Sequence, residues 1–179
     1  MPRQAGLSIV FVRHGESEAN VARRISDIPE NVVNLTERGR IQAAHVEAGH
    51  FDLACASQFP RARQTAEIIL SGRPYFVDSR INERKSGMDG RAVREFNELI
   101  LKDPVHFRPV GGESFHEEMQ RVKNFMDEMA MLHSGCRMLA VSHENPILAA
   151  LALSGMDPLQ AALGSIANCQ KVEITWPKS

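Results

Sequence analysis

The sequence predicts an α/β fold: one three-layer domain over residues 1–179, with a mostly parallel central sheet and helices on both faces. Three observations carry this reading. Short apolar runs rich in β-branched residues alternate with longer stretches whose apolar residues recur at helical spacing. A chain of 179 residues suffices for one sizeable core and is short for two. No repeat, low-complexity tract or linker interrupts the alternation.

The elements follow in order. Ile9-Val10-Phe11-Val12 reads as a buried strand that stops at Arg13-His14-Gly15-Glu16-Ser17. Glu37 to Ala48 reads as a helix with Thr36 as its N-cap. Leu53 to Ala56 is a short buried strand. Pro60 suits the first turn of a helix that runs to Leu70 and ends at Gly72-Arg73-Pro74. Tyr75 to Val77 is a third strand, Arg91 to Leu101 a helix, and Asp103 to Gly112 a loop rich in proline and glycine. The longest helix opens with the capping box Ser114-x-x-Glu117 and carries Phe115, Met119, Val122, Met126, Met129 and His133 at alternating spacings of four and three. Its methionines read as core filler. Arg137 to Val141 is a fourth strand leading to Ser142-His143, Pro146 to Leu153 a helix, and Lys171 to Trp176 a last strand at the sheet edge.

Composition narrows the function. A formal net charge of −1 argues against a nucleic-acid surface and against a polybasic membrane patch. Cys55, Cys136 and Cys169 are far apart and form no C-x-x-C pair, which points to a reducing compartment. Only Met1 to Gly6 precede the first strand, and no apolar run approaches membrane length, so a cytoplasmic location is expected. None of the seven histidines forms a paired ligand motif at zinc spacing, so neither a metal nor a cofactor is expected.

In a mostly parallel sheet the strand ends share one edge, where open α/β sheets bind ligands. The first strand delivers Arg13 and His14, the second leads to Arg61, the third to Glu83, and the fourth to Ser142-His143. Two arginines, two histidines and a carboxylic acid suit a phosphomonoester dianion. A neutral His14 would attack phosphorus while Arg13 and Arg61 neutralise the equatorial oxygens. His143, preferably charged, would complete the cage. Glu83 would protonate the leaving alkoxide and then deprotonate water, a dual task that needs a pKa raised toward neutral. The expected partner is a small phosphorylated metabolite.

The segment Arg13-His14-Gly15-Glu16-Ser17-x-x-Asn20 resembles the signature of the histidine phosphatase superfamily, in its branch of phosphoglycerate mutases and related phosphatases. So do Leu35-Thr36-Glu37-Arg38-Gly39, Ser57-x-x-x-Arg61-Ala62-x-Gln64-Thr65-Ala66, Gly111-Gly112-Glu113-Ser114-Phe115 and Val141-Ser142-His143, in the family's order. The resemblance implies a phosphoglycerate mutase-like fold and a phosphohistidine intermediate on His14. It also implies phosphate binding by Arg13, Arg61 and His143, proton transfer by Glu83, and a place near the pocket for Asn20, Glu16 and Ser17.

Two departures stand out. After Glu83 the family runs through a glycine, an aromatic, a glutamate and a glycine. Here Arg84 to Gly90 lacks the aromatic, and Asp89 lies close enough in sequence to compete for the acid's role. Glu144 replaces the usual small residue after His143, and its side chain is expected to turn away from the anion site. The leading function is a phosphatase for a small phosphomonoester. A phosphoglycerate mutase, a non-catalytic phospho-ligand module and a protein phosphohistidine phosphatase are the alternatives.

Overall fold

The computed structural model describes residues 6–177, so Met1 to Ala5 of the leading segment lie outside the described residues. The chain forms β1 (Leu7–Arg13), α1 (Glu18–Ala22), α2 (Glu37–Ala44), β2 (Leu53–Ala56), α3 (Pro60–Leu70), β3 (Phe76–Val77) and a 3-10 turn (Ser79–Ile81). It continues through α4 (Val93–Ile100), α5 (Phe115–Leu132), β4 (Arg137–Ser142), α6 (Glu144–Leu153), α7 (Pro158–Ala162) and β5 (Lys171–Trp176). One sheet has the order β3-β2-β4-β1-β5, parallel throughout except for the antiparallel edge strand β5.

Period-two alternation explains why β1 is apolar along its length. Leu7, Ile9 and Phe11 join a core with Met138 and Ala140 of β4 and with Val122, Phe125 and Met126 of α5. Val10 and Val12 point the other way, packing with Leu139 and Val141 of β4 and with Ala62 and Ala66 of α3. Helices therefore cover both faces, giving three layers. On α5 the expected stripe is buried at Phe115, Val122, Met126 and Met129. Its capping box is closed, with Glu117 N on Ser114 Oγ at 3.1 Å and Ser114 N on Glu117 Oε2 at 2.8 Å.

Several boundaries differ from the sequence expectation, among them α6, which begins at Glu144 rather than Pro146. The helix expected to reach Ala48 stops at Ala44, because the chain turns at His45 to carry Ala48 and Phe51 into the core. The third strand shrinks to Phe76–Val77. The helix expected from Arg91 begins at Val93, because the Arg91 carbonyl accepts from Ile25 N at 2.9 Å. Helices α1 and α7, five residues each, were not anticipated; α1 buries none of its own residues and so leaves no apolar period to read. Among the described residues no helix is long and apolar enough to cross a membrane.

Candidate active site

Strands β1 and β4 are adjacent, and Arg13 pairs in register with Ser142. The next residue of each is a histidine, so His14 and His143 emerge side by side with ring centroids 5.1 Å apart. Ser57 directly follows β2, the other neighbour of β4, and its hydroxyl lies 2.6 Å from His143 Nε2. Arg61, in the first turn of α3, reaches back between the rings. Its Nε donates to His14 Nε2 at 3.2 Å, and Nη2 lies 3.3 Å from His143 Nδ1. Two further bonds hold the guanidinium to Ser26, to Oγ at 3.0 Å and to the carbonyl at 2.9 Å.

These contacts fix the protons. The Gly15 carbonyl, 2.7 Å from His14 Nδ1, can only accept, so Nδ1 carries the hydrogen and Nε2 keeps its lone pair. Arginine can only donate, so His143 Nδ1 accepts and its Nε2–H donates to Ser57. Both rings are buried, at 2% and 0% exposure. Burial, reinforced by the Arg61 and Arg13 charges, holds both histidines well below the ordinary value of 6.5. With Arg61 donating to its Nδ1 and cations around it, the His143 ring is neutral in this structure. Burial also lowers Arg61 to about 10, which leaves it charged at neutral pH.

Glu83 closes one side. Its Oε1 accepts from Asn145 Nδ2 at 3.1 Å and from Arg84 N at 2.9 Å, while Oε2 stands 4.0 Å from His143 Nδ1. Arg121 of α5 holds the Glu83 carbonyl at 3.4 Å and is itself bound by Glu113 and Glu118. Asp89 is occupied elsewhere, accepting from Asp27 N and Asn31 Nδ2. After Glu83, the Arg84 guanidinium lies over the rings of Phe96 and Phe115, 5.2 and 6.0 Å from their centroids.

Arg13 donates to the Ile166 carbonyl and lies 3.4 Å from Glu144 Oε1. That oxygen also accepts from Ile166 N at 2.8 Å and Ser165 Oγ at 2.9 Å, so the Glu144 charge is taken up by Arg13 and the 165–166 segment.

Arg13, His14, Arg61 and Glu83 line one cavity, together with Ser17 and Asn20. Asn20 Oδ1 accepts from Ser17 N at 3.0 Å and from Asn168 Nδ2, which also donates to the His14 carbonyl at 3.0 Å. Glu16 does not line this cavity. Its carboxylate accepts from Thr36 Oγ1 at 2.8 Å and thereby fastens the loop before α2. The glycines of two motifs let that loop approach: a Cβ on Gly39 would lie 2.0 Å from the Glu16 carbonyl oxygen, and one on Gly15 would lie 2.4 Å from the Gly39 oxygen.

Sequence reasoning assigned no role to Ser57, Thr65, Asn145 or Asn168. The first two stand in a matched motif, and Thr65 Oγ1 accepts from Gly15 N at 3.1 Å, so a signal was present for them. Asn145 and Asn168 carry none, because their contacts arise from the packing of α6 and of the loop before β5. Among the described residues no group of three or more His, Cys, Asp or Glu is arranged to hold a metal ion.

Comparison with known proteins bears on the family and the fold. The family model of the histidine phosphatase superfamily (branch 1) matches residues 9–179. The chain is 33% identical over 151 residues to the "Probable phosphoglycerate mutase GpmB" of Erwinia tasmaniensis, covering 76% of this chain and 69% of that protein. It is 32% identical over 150 residues to the adenosylcobalamin/alpha-ribazole phosphatase of Salmonella typhimurium, covering 75% and 72%. The crystal structure of the alpha-ribazole phosphatase from Shigella flexneri superposes with a TM-score of 0.79 at 27% identity, covering 93% of this chain and 89% of that one.

Proposed function

This chain belongs to the histidine phosphatase superfamily (branch 1) and is a phosphatase of that type, and from that premise we propose that it hydrolyses a small phosphomonoester through a phosphohistidine on His14. The observation that carries the reading is the buried, neutral His14, its Nδ1–H fixed on Gly15 and its Nε2 lone pair facing the Arg61 guanidinium.

His14 Nε2 attacks phosphorus, and the bond to the ester oxygen breaks. The departing alkoxide takes a proton from Glu83. Glu83 then removes a proton from water, which attacks the phosphohistidine, releases inorganic phosphate and restores His14. Arg61 turns its donors from the histidines to the phosphoryl oxygens, with Arg13 and Asn20 beside it and Ser17 holding Asn20. The arriving dianion favours protonation of His143, which then donates from Nδ1 while its Nε2–H stays on Ser57. The substrate is a small phosphorylated metabolite. The three cysteines form no disulfide, in keeping with a place for the enzyme in the reducing cytoplasm.

Release of phosphate from p-nitrophenyl phosphate, abolished in His14→Ala, is the expected result. Equal activity in that variant would remove His14 as nucleophile. A panel containing phosphoglycerates and alpha-ribazole phosphate, the substrate named for two relatives, separates hydrolysis from transfer: a mutase would isomerise a phosphoglycerate faster than it hydrolyses it.

A further inference from the structure

The cavity that holds His14 is about 460 Å³, within the range of small-molecule sites and larger than a phosphoryl group needs. Its lining is of two kinds. One is the set of reacting groups. The other is apolar: Val93, Phe96 and Ile100 of α4, Leu101 just after it, and Ala162 and Leu163 at the end of α7. Phe96 and Ile100 are buried, whereas Val93 and Leu101 are 39% and 64% exposed, so α4 offers both a floor and a rim. We propose that the substrate's leaving group is an uncharged, largely apolar alcohol seated against α4 and the end of α7. This inference rests on the reading of His14 as the phosphatase nucleophile.

The charges around the cavity point the same way. Glu144, which lines it, is paired with Arg13 and bound by Ile166 N and Ser165 Oγ, so its charge is committed within the protein. Arg13 and Arg61 serve the phosphoryl group. Arg84 is 3% exposed, with its guanidinium packed on Phe96 and its Nε on the Glu113 carbonyl at 3.3 Å. Arg24 is the remaining cation on the wall, and its Nη1 is bound to the Gly90 carbonyl at 2.7 Å. Asn97 and Asn145 supply neutral hydrogen-bonding groups suited to orienting an alcohol body without selecting for charge.

The test is a series of monoesters of primary alcohols with similar leaving-group basicity: ethyl, hexyl and 3-phenylpropyl phosphate, with 3-phosphoglycerate as the charged member. The expected result is a kcat/KM at least about 30-fold higher for the hexyl and phenylpropyl esters than for ethyl phosphate, with 3-phosphoglycerate no better than ethyl. Leu101→Gln, at an exposed position, and Phe96→Ala should each shrink the phenylpropyl-to-ethyl ratio about fivefold or more. A flat series, or 3-phosphoglycerate as the fastest ester, overturns the inference; the latter would assign Arg24 to a substrate carboxylate. Hydrolysis of p-nitrophenyl phosphate is the control. If it depends on His14 and the series is flat, only the leaving-group inference fails. If no ester is hydrolysed in a His14-dependent way, the reading of the site fails and takes the inference with it.

Discussion

Replacing His14 and His143 by asparagine, singly and together, should remove much of the protein's sensitivity to mild acid. Both rings are buried and neutral, and burial together with the Arg61 and Arg13 charges depresses their proton affinity in the folded state. The unfolded chain binds these two protons near the ordinary value of 6.5. Below that value the unfolded state holds more protons than the folded one, so stability falls as the pH falls. Between about pH 7.5 and about pH 5.5 the pair removes up to about 3 kcal/mol, half from each ring, a large share of a typical domain's total. Glu118 acts in the opposite sense: burial raises its carboxyl well above the ordinary value, so its contribution grows as the pH falls toward that value. It is present in every variant and cancels in the comparison. Urea unfolding at the two pH values measures the difference. The double variant should lose up to about 3 kcal/mol less than the parent over this interval, and each single variant about half of that. An acid loss in the double variant equal to the parent's would refute the buried, neutral histidine pair.

Three further outcomes follow from the same geometry. Glu83→Gln should slow alkyl phosphates about tenfold or more beyond its effect on p-nitrophenyl phosphate, whose leaving group needs no acid; equal losses on both would take Glu83 out of that role. Binding of inorganic phosphate near neutral pH should take up protons as His143 becomes charged. Calorimetry in buffers of different ionisation enthalpy, with His143→Asn as the reference that carries phosphate's own ionisation, reads this, and equal proton uptake in the two proteins would argue that His143 stays neutral. Gly39→Ala places a Cβ 2.0 Å from the Glu16 carbonyl oxygen, a backbone atom that cannot move alone. It should cost about 2 kcal/mol or more, seen as a lower Tm, and an unchanged melt would contradict the close approach of the two motif loops.

Much of the fold was legible because its signals are local. β1 is apolar on both faces, and the structure shows why: alternate residues feed two cores. The α5 stripe and its capping box could be read directly, as could Pro60 at the head of α3. The convergence of Arg13, His14, Arg61, Glu83 and His143 followed from placing strand ends on one edge of a parallel sheet. What was not legible depends on neighbours that only the sheet order supplies. The contact between Ser57 and His143 exists because β2 lies beside β4. The neutral state of His143 depends on its burial among cations, and the fate of Glu144 on a loop more than twenty residues further along the chain. Glu118 sits fully buried three residues after Phe115 and four before Val122, a place on the apolar face that its charged side chain disguises.

The most direct test of the central claim is rapid quenching into alkali during turnover of a phosphorus-labelled ester, followed by peptide mapping. The account predicts label on the peptide containing His14, stable to base, released by acid and absent from His14→Ala. Steady turnover with no label on that histidine at any quench time would contradict it.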